Sequence, residues 1–436
     1  MLVENHYPQD TRVRNEASLL AASGYRVSVI CLRKPNQRPV ETVGSVRVYR
    51  LPLLELFKKT PSANPTLAQA LFLKVKSFLG YLIEYIYFTS ACLFSSAYVF
   101  VRHGFDVIHA HNPPDTLFLV ALPFKLLGKK FVFDHHDLCP ELYLSRYGGR
   151  GGLFAKLLRI PEWCSLKVAN ITIATNESYK QTQLARGRKS PETIFVVRNG
   201  PDGRRMTPAA PSTRLIGKGR HILAYIGSLN PQDGVDYLLR SLHYLLYTLK
   251  RDDFYCVIMG AGDSLADLRA LAAELRLGQH VELPGFVSEE DLHANLAAAE
   301  ICLDPDPSSP LNDVSTWIKI MEYMAYAKPI VTFDLKETRF SAQSAAVYVK
   351  PNDESAFAKA IVTLMDDPAL RKELGLFGRR RVESHLQWSV VSKELLAAYR
   401  FLLPSHQPSI LEPARAYGTS VTEPAEERNP AGTLQA

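Results

Sequence analysis

Lys319 and Glu322 are the residues whose types and spacing best suit chemistry, because residues three positions apart on a helix share one face. Ser315 and Thr316 precede them as candidate caps of a helix predicted over 316–326. The free amides of a helix start attract anions, phosphate above all. A cation there would meet phosphate, and a carboxylate would accept from ribose hydroxyls, so the segment suits a sugar nucleotide. The alternative is a surface helix with an ordinary ion pair.

Two glycine-containing turns each follow a predicted strand, at the edge where open α/β sheets bind ligands. Gly260 and Gly262 follow one strand, and Gly227 and Ser228 follow another. Glycine at such a position lets the backbone approach a ligand, and the start of the next helix favours phosphate. Because the third glycine of the usual fingerprint is absent, a plain strand–helix turn is an equally good interpretation.

Histidines and aspartates end two predicted strands of the first half. His111 ends the strand 107–111 and is placed to meet a substrate, although a structural role is more common for such a residue. Asp134 and His136 lie at the end of the next strand. Successive residues of a strand point to opposite faces and cannot all converge on one ion, so no metal site is predicted. Acceptor binding or structural hydrogen bonding is the expected role.

Short apolar runs alternate with helical patterns, which predicts an α/β fold with parallel sheets. Residues 1–200 and 201–387 are expected to form two tandem Rossmann-like domains that face a cleft. The segment 200–219 is the expected linker, with the Asn-Gly pair at 199–200 as a turn or hinge. Residues 388–403 predict one more amphipathic helix. Residues 404–436 contain five prolines and predict a disordered tail.

Size and cysteine usage limit the class of protein. A chain of 436 residues with 47% hydrophobic and 22% charged residues is globular and too long for one ordinary core. Its 6 cysteines are scattered without a Cys-x-x-Cys pair, which favours a reducing cytoplasm over a disulfide framework or zinc site. The chain opens on a stub of strand, so the first strand is expected to be short unless the true start lies earlier.

The net charge of +7 is unevenly distributed. Residues 1–200 hold 26 Lys/Arg and 14 Asp/Glu, a net +12, whereas the remainder holds 25 and 30, a net −5. A basic half favours an anionic partner. Because no nucleic-acid motif accompanies it, a membrane surface is the predicted partner and nucleic acid is not. An ordinary soluble surface is the alternative.

Residues 85–101 form a charge-free run just short of a membrane span. The longer stretch 71–101 is interpreted as one or two amphipathic or buried helices of the first domain that touch lipid; a spanning helix is the less favoured alternative. We expect the protein to be cytoplasmic and peripheral to the inner face of the plasma membrane. The cations expected to flank the apolar stretch are Lys58, Lys59, Lys74, Lys76 and Arg102.

These motifs together resemble glycosyltransferase family 4, the retaining transferases of the two-domain GT-B fold, from residue 3 to about residue 400. The segments that carry the resemblance are 3–8 with 10–14, 106–115, 134–141, 199–202, 260–263 and 310–329. The last is the strongest and is similar to a bacterial subgroup that makes surface polysaccharides. Helix 388–403 resembles the family helix that crosses back onto the first domain.

The resemblance implies a nucleotide-sugar donor in the second domain and a lipid-linked or saccharide acceptor in the first. It implies retaining transfer in cell-surface polysaccharide biosynthesis, with no metal and no cofactor. Glu322 matches the family glutamate at the ribose and His111 the histidine near the donor sugar, and both are assigned catalytic roles. The other donor-site residues are Gly227, Ser228, Gly260, Gly262, Phe286, Asp313, Ser315, Thr316, Trp317, Ile318 and Lys319. The acceptor site is assigned to Arg12, Arg14, His111, Asp134 and His136.

Three positions depart from the family pattern. The first glutamate of the family pair falls on Val314, with Asp313 as a candidate substitute, and two diphosphate-binding cations fall on Ser228 and Asp233. Lys319 and the neighbouring amides are therefore expected to neutralise the diphosphate. The losses keep open a second hypothesis, a degenerate scaffold of the same fold that binds a sugar nucleotide or partner without turnover. A sugar-nucleotide epimerase is a third, which no residue specifically favours.

Overall fold

The structure is a computed structural model that describes residues 1–54, 67–146, 152–201 and 209–405, and they form two α/β domains. In this part of the chain, eight strands form the N-terminal sheet in the order β3-β4-β2-β1-β5-β6-β7-β8, and only β3 runs antiparallel to its neighbour. The strands are β1 (Leu2–His6), β2 (Ser28–Leu32), β3 (Val40–Val43), β4 (Val46–Leu51), β5 (Val107–His111), β6 (Lys130–His135), β7 (Ile171–Ala174) and β8 (Ile194–Val196).

The C-terminal sheet is wholly parallel in the described residues, in the order β11-β10-β9-β12-β13-β14. Its strands are β9 (His221–Ile226), β10 (Phe254–Met259), β11 (Val281–Gly285), β12 (Ile301–Asp304), β13 (Ile330–Phe333) and β14 (Ala346–Val349). All six residues of β10 are buried, which fits its continuous apolar sequence because a parallel strand is covered on both faces. The predicted pair of Rossmann-like domains, the GT-B arrangement, is confirmed.

Helices cover both sheets. Those of the first domain are α1 (Thr11–Ala22), α2 (Leu67–His103), α3 (Phe118–Leu126), α4 (Cys139–Arg146), α5 (Gly152–Val168) and α6 (Glu177–Gly187). Those that follow are α7 (Val235–His243), α8 (Leu265–Glu274), α9 (Glu289–Ala298), α10 (Ile318–Ala325), α11 (Lys336–Ala342), α12 (Glu354–Asp366), α13 (Pro368–Arg381), α14 (Trp388–Val391) and α15 (Lys393–Leu402).

The last helix, α15, packs on the N-terminal domain. Leu395, Ala398 and Tyr399 are buried in one cluster with Leu20 of α1 and Val132 of β6. The chain therefore passes from the first domain to the second near residue 201 and returns near residue 388. A backbone hydrogen bond of 3.0 Å, donated by the Trp388 N–H to the Pro201 carbonyl, joins these two segments.

Several elements differ from the sequence-based expectation. The stretch 71–101, expected to form one or two helices, lies in one longer helix of 37 residues, α2. Strand β3 was not predicted, because its four residues are exposed or half-buried and carry little apolar signal. The linker residues 202–208, the tail residues 406–436 and Lys58 and Lys59 lie outside the described residues, as do the side chains of Lys74 and Lys76.

Candidate active site

A cavity lies where the two domains meet. Its walls come from the start of α1, from the crossing segment at residues 199–201, from α9 and α10, and from Trp388. The lining residues are Thr11, Arg12, Arg14, Asn15, Asn199, Gly200, Pro201, Glu289, His293, Ile318, Glu322 and Trp388. Gly200 is required by packing, because a Cβ there would collide with the backbone of residues 386–388. The predicted hinge thus forms part of the cavity wall.

Glu322 projects from α10 into this cavity and is half-buried. Burial raises the pKa of its carboxyl group to about 7, because the charged form loses solvation. The predicted donor-site residues Ile318 and Glu322 therefore share one cavity with the predicted acceptor-site residues Arg12 and Arg14.

Lys319 does not face an open anion site, which corrects our expectation. The side chain is buried, and its Nζ lies 2.7 Å from Asp306 Oδ2 and 3.1 Å from Asp304 Oδ1. Burial alone would lower the pKa of Lys319, but Asp306, Tyr225 and Asp304 offset this effect and raise it well above its usual value. The ammonium is already paired with the side chains of Asp304 and Asp306, so it is not free to meet a diphosphate.

Ser228 and Asp233 stand where the family has cations, and neither side chain supplies a positive charge to this part of the second domain. Ser228 is exposed in the loop after β9, and its carbonyl accepts a 2.8 Å bond from the Tyr225 hydroxyl. Asp233 is buried and accepts from the Asn230 backbone N–H at 2.9 Å. This corner of the second domain is therefore rich in carboxylates.

Gly260 and Gly262 serve loop packing in this structure. A Cβ on Gly260 would collide with the Gly227 carbonyl, and one on Gly262 would collide with the Leu229 backbone. The two strand-end loops approach each other too closely for any side chain. Of the two interpretations that the sequence leaves open, ligand approach and a plain strand–helix turn, this packing gives each glycine a sufficient structural reason for the second.

The helix after the 310–317 loop begins later than predicted and is not capped as predicted. The helix α10 starts at Ile318, and its N-cap residue Trp317 makes no side-chain cap bond. Ser315 instead donates to the Leu311 carbonyl at 2.8 Å. Thr316 accepts from the side chain of Asn176 at 3.0 Å. The side chains expected to cap the helix are committed to the loop and to the first domain.

That contact belongs to a wider interface which the sequence did not reveal. Asn176 also donates to the Val314 carbonyl at 2.8 Å, and Ser178 Oγ donates to Glu337 at 2.6 Å. Glu337, buried on α11, also lies 3.4 Å from the Arg198 guanidinium. The first domain therefore holds the loop that carries the predicted donor-site residues. Glu337 lies in the first turn of the helix that follows β13, and an acidic residue at a helix start after a strand end is the signal that could have singled it out.

The remaining predicted donor-site side chains are those of Phe286, Trp317 and Asp313, and none of them lines the cavity. Phe286 is 85% exposed just after β11 and is free to stack on a planar ligand. Trp317 packs against the core under α10, with its ring 5.6 Å from Lys319 Nζ. Asp313 is half-buried and accepts from Ser308 Oγ at 3.2 Å. Neither Phe286 nor Asp313 lines the cavity that contains Glu322.

Arg12, predicted to bind an acceptor, is a structural residue. Its guanidinium donates to Asp134 at 2.8 Å, to the Val197 carbonyl at 3.0 Å and to Asn199 Oδ1 at 2.7 Å. It is 8% exposed and joins α1, β6 and the crossing segment. Arg14, two residues along the chain, is half-buried, donates to the Pro8 carbonyl at 3.2 Å and lines the cavity. Both predicted arginines therefore line the cavity, and Arg12 is also committed to a buried network.

His111 and Asp134 are fully buried beneath the cavity, which corrects their assignment as ligand-facing groups. The Nδ1 atom of His111 lies 3.1 Å from His136 Nε2 and 3.3 Å from Asp134 Oδ2. Burial and the neighbouring His109 lower the pKa of His111 well below its usual value, so the ring is neutral. Only His136, half-buried, reaches toward the surface from this group. His111 therefore has no direct access to a ligand in the cavity.

Glu16 is the member of this network that sequence reasoning missed. Burial, and the adjacent Asp134 carboxylate, raise the pKa of Glu16 well above its usual value. Burial would raise the pKa of Asp134 too, but Arg12 and His136 lower it well below its usual value. Arg12 and Asp134 therefore form an ion pair whose charges balance, and the adjacent Glu16 favours its neutral form.

The four side chains Glu16, His109, His111 and Asp134 bring ligand atoms within 4.8 Å of one another, a spacing that could hold a metal ion. Arg12 lies 3.1 Å from Glu16 and 2.8 Å from Asp134. A divalent ion would have to bind beside this fixed cation. The charge balance therefore disfavours a metal here, although the spacing alone permits one.

Comparison with known proteins identifies the family of both domains. Residues 9–200 match the family described as Glycosyl transferase 4-like domain, and residues 220–367 match Glycosyl transferases group 1. A relative is the GDP-mannose-dependent monoacylated alpha-(1-6)-phosphatidylinositol monomannoside mannosyltransferase of Corynebacterium glutamicum. It is 26% identical over 215 residues, 47% of this chain and 55% of that protein. The chain thus spans about half the length of this curated relative.

Solved structures share the fold across nearly the whole chain. Sucrose-phosphate synthase from Thermosynechococcus elongatus aligns with a TM-score of 0.70 at 20% identity, over 92% of this chain and 95% of its own. Anabaena HepE, solved in complex with UDP and glucose, aligns with a TM-score of 0.64 at 14% identity, over 91% and 98%. Since the two family matches together cover most of the chain and agree with its fold, the chain belongs to glycosyltransferase family 4.

Proposed function

We propose that the chain is a retaining glycosyltransferase of the hexosyltransferase type, which moves a sugar from a nucleotide-sugar donor to an acceptor across the interdomain cleft. The observation that carries the proposal is the shared cavity, in which Glu322 of the second domain faces Arg14 and Asn15 of the first. A half-buried carboxylate on the donor domain suits ribose hydroxyls, and a cation opposite suits an anionic donor or acceptor. The relative that uses GDP-mannose and the HepE complex with UDP support this class of donor.

The chemistry of this cleft is group transfer without a covalent enzyme intermediate. The bond between the sugar and the diphosphate breaks, an acceptor oxygen bonds to the sugar on the same face, and the acceptor proton leaves with the released nucleotide. Glu322 would position the ribose, and His136, backed by buried His111 and Asp134, would present the polar edge of the first domain. No metal ion and no organic cofactor is part of the proposal.

The proposed acceptor is lipid-linked or a saccharide in bacterial surface-polysaccharide synthesis, at the cytoplasmic face of the membrane. The net charge of +12 over residues 1–200 supports an anionic partner for the first domain. The corynebacterial relative, whose name specifies a phosphatidylinositol mannoside, supports a lipid-linked acceptor. Nucleic acid is not a proposed partner.

The test is incubation of the purified chain with a panel of UDP-, GDP- and ADP-sugars, with release of nucleotide as the readout. We expect one donor to be consumed, and consumption to fall in Glu322→Gln but not in Glu274→Gln, an exposed glutamate on α8. An isomerised donor without nucleotide release would instead indicate the epimerase.

A second candidate function rests on the pairing of Lys319. Ser228 and Asp233 stand in place of the family cations, and Lys319 is paired with two aspartates. None of these three residues therefore offers a free positive charge to a diphosphate. A scaffold that binds a sugar nucleotide or partner without turnover would fit this arrangement. Donor binding without consumption by the wild type, together with strong activation by Ser228→Arg, would favour the scaffold.

A further inference from the structure

Three helices of the first domain form one layer over the same face of the N-terminal sheet. Phe88 of α2, Val120 of α3 and Leu166 of α5 are buried in one core cluster with strand residues such as Phe131. The outer faces of these helices point away from the sheet. We refer to α2 from Leu82 onward, α3 and α5 as the outer layer.

The helix α2 is apolar on two opposite faces. Phe88, Cys92 and Val99 are buried against the sheet, whereas Phe94 is 75% exposed and Val101 is 83% exposed. A helix that is apolar all round is normally buried on all sides. The segment Leu82–His103 is long and apolar enough to cross a membrane, yet only 28% of its most apolar stretch is buried in the protein.

The other two helices repeat this pattern. Leu119, Leu122 and Leu126 are exposed at helical spacing on α3, and Leu126 is 89% exposed. Four more large apolar side chains are exposed every third residue on α5, namely Phe154, Leu157, Ile160 and Trp163. Contiguous exposed apolar surface on this scale marks an interaction site.

The exposed charges of the outer layer have one sign, and Glu84 of α2 is a half-buried acidic residue in the same layer. Within the described residues, its exposed charged side chains are Arg102, Lys156, Arg159 and Lys167. The acidic Glu162 is buried and paired with Arg186 at 2.9 Å, so it does not offset them. Exposed apolar side chains with interspersed cations are typical of helices that lie in the interface of an anionic bilayer.

We propose that the outer layer docks on the surface of an anionic lipid bilayer, with α2 lying in the interface rather than crossing it. The inner stripe of α2 holds the helix along the sheet through Phe88 and Val99, and this excludes a spanning orientation of the folded domain. A protein partner would need no uniform positive charge around its apolar contact. The inference deepens the proposed function, because a lipid-linked acceptor requires such a surface, but its test needs no catalysis.

The test is co-sedimentation of the full chain with phosphatidylcholine vesicles, with and without one third phosphatidylglycerol, at low and high salt. Binding should be stronger to the anionic vesicles and weaker at high salt, since the cations are screened. The variant Phe94→Asp/Leu126→Asp/Ile160→Asp should lower binding by at least about tenfold. Each substitution removes apolar area that the bilayer would otherwise bury. The control Ile216→Asp alters a side chain that is 75% exposed in the second domain and should bind normally.

Absence of binding by the wild type, or equal binding by the triple variant, would overturn the proposal. A dimer seen by light scattering for the wild type and lost in the triple variant would also overturn it, since a second copy would then cover the layer. Thermal midpoints identical to the wild type show that the variants are folded. Nucleotide release in the same variants reports on the proposed transferase, so failure of docking and failure of transfer are distinguishable.

Discussion

The ammonium group of Lys319 lies 2.7 Å from Asp306 Oδ2, and both side chains are buried. The same ammonium lies 3.1 Å from Oδ1 of Asp304, the last residue of β12. The two contacts together fix α10 to the end of β12. A residue that looks like a phosphate ligand in the sequence is thus a support for the helix that presents Glu322.

Replacing Lys319 should therefore damage stability before it damages chemistry. Lys319→Met leaves two buried carboxylates unpaired and should lower the free energy of unfolding by about 3–5 kcal/mol. Because an unpaired buried carboxylate favours its protonated form, the loss should shrink as the pH falls. Chemical denaturation at pH 5 and 8 measures this, with Lys372→Met, an exposed lysine on α13, as the control. A stable Lys319→Met that binds donor weakly would restore the phosphate role.

Donor binding should depend on pH through Glu322. Burial raises the pKa of its carboxyl group from 4.5 to about 7, so the carboxylate that accepts from ribose forms only as the pH rises through about 7. Donor affinity should increase between pH 6 and pH 8, and Glu322→Gln should lose this dependence. The native state binds this proton more tightly than the unfolded state, so this group's contribution to stability is present below pH 4.5 and is lost as the pH rises through about 7. Titration calorimetry at pH 6 and pH 8 measures the donor affinity. A lower affinity at pH 8 than at pH 6 would contradict this role of Glu322.

The contact between Glu337 and Ser178 should couple the domains. Glu337→Ala removes the 2.6 Å acceptor of Ser178 and leaves Arg198 without its carboxylate. The variant should lose about 1.5–3 kcal/mol of stability, the usual contribution of a hydrogen bond to a charged group. Differential scanning calorimetry should show the thermal transition broaden or split. Glu373→Ala, on the exposed face of α13, should leave the transition unchanged; an unchanged transition in Glu337→Ala would show that the contact does not couple the domains.

Metal removal should have no effect. Arg12 already supplies positive charge beside Glu16 and Asp134, so the cluster needs no ion to balance it. Dialysis against EDTA should leave the thermal midpoint and the rate of nucleotide release as they were. A midpoint that rises on addition of Zn²⁺, and does not rise in His109→Ala, would assign a metal to these four side chains.

The sequence predicts the architecture well because burial leaves a direct trace in it. The six residues of β10 form an uninterrupted apolar run, and the Asn-Gly pair predicted to be a turn or hinge holds a glycine that has no room for a side chain. Strand β3 escaped prediction because its partly exposed residues carry no such trace.

The functional side chains were harder to place, because partners far apart in the chain decide their roles. The environment of Lys319 depends on Asp304 and Asp306, and that of Arg12 depends on Asp134, 122 positions away. Residue type and helical spacing show which side chains lie on the same face of a helix. They do not show whether a carboxyl group from a distant part of the chain is already paired with a cation on that face. Glu322 lines the cavity between the domains, and its predicted role at the ribose stays a prediction.

The most direct measurement of the central claim is the anomeric configuration of the sugar before and after transfer. The purified chain would be given the nucleotide sugar that it consumes, labelled with ¹³C at the anomeric carbon, and a membrane extract as acceptor, and the product followed by NMR. We expect the label to leave the nucleotide and appear in a glycoside of the same anomeric configuration. A product of inverted configuration, or a donor that binds and stays intact, would contradict retaining transfer in this cleft.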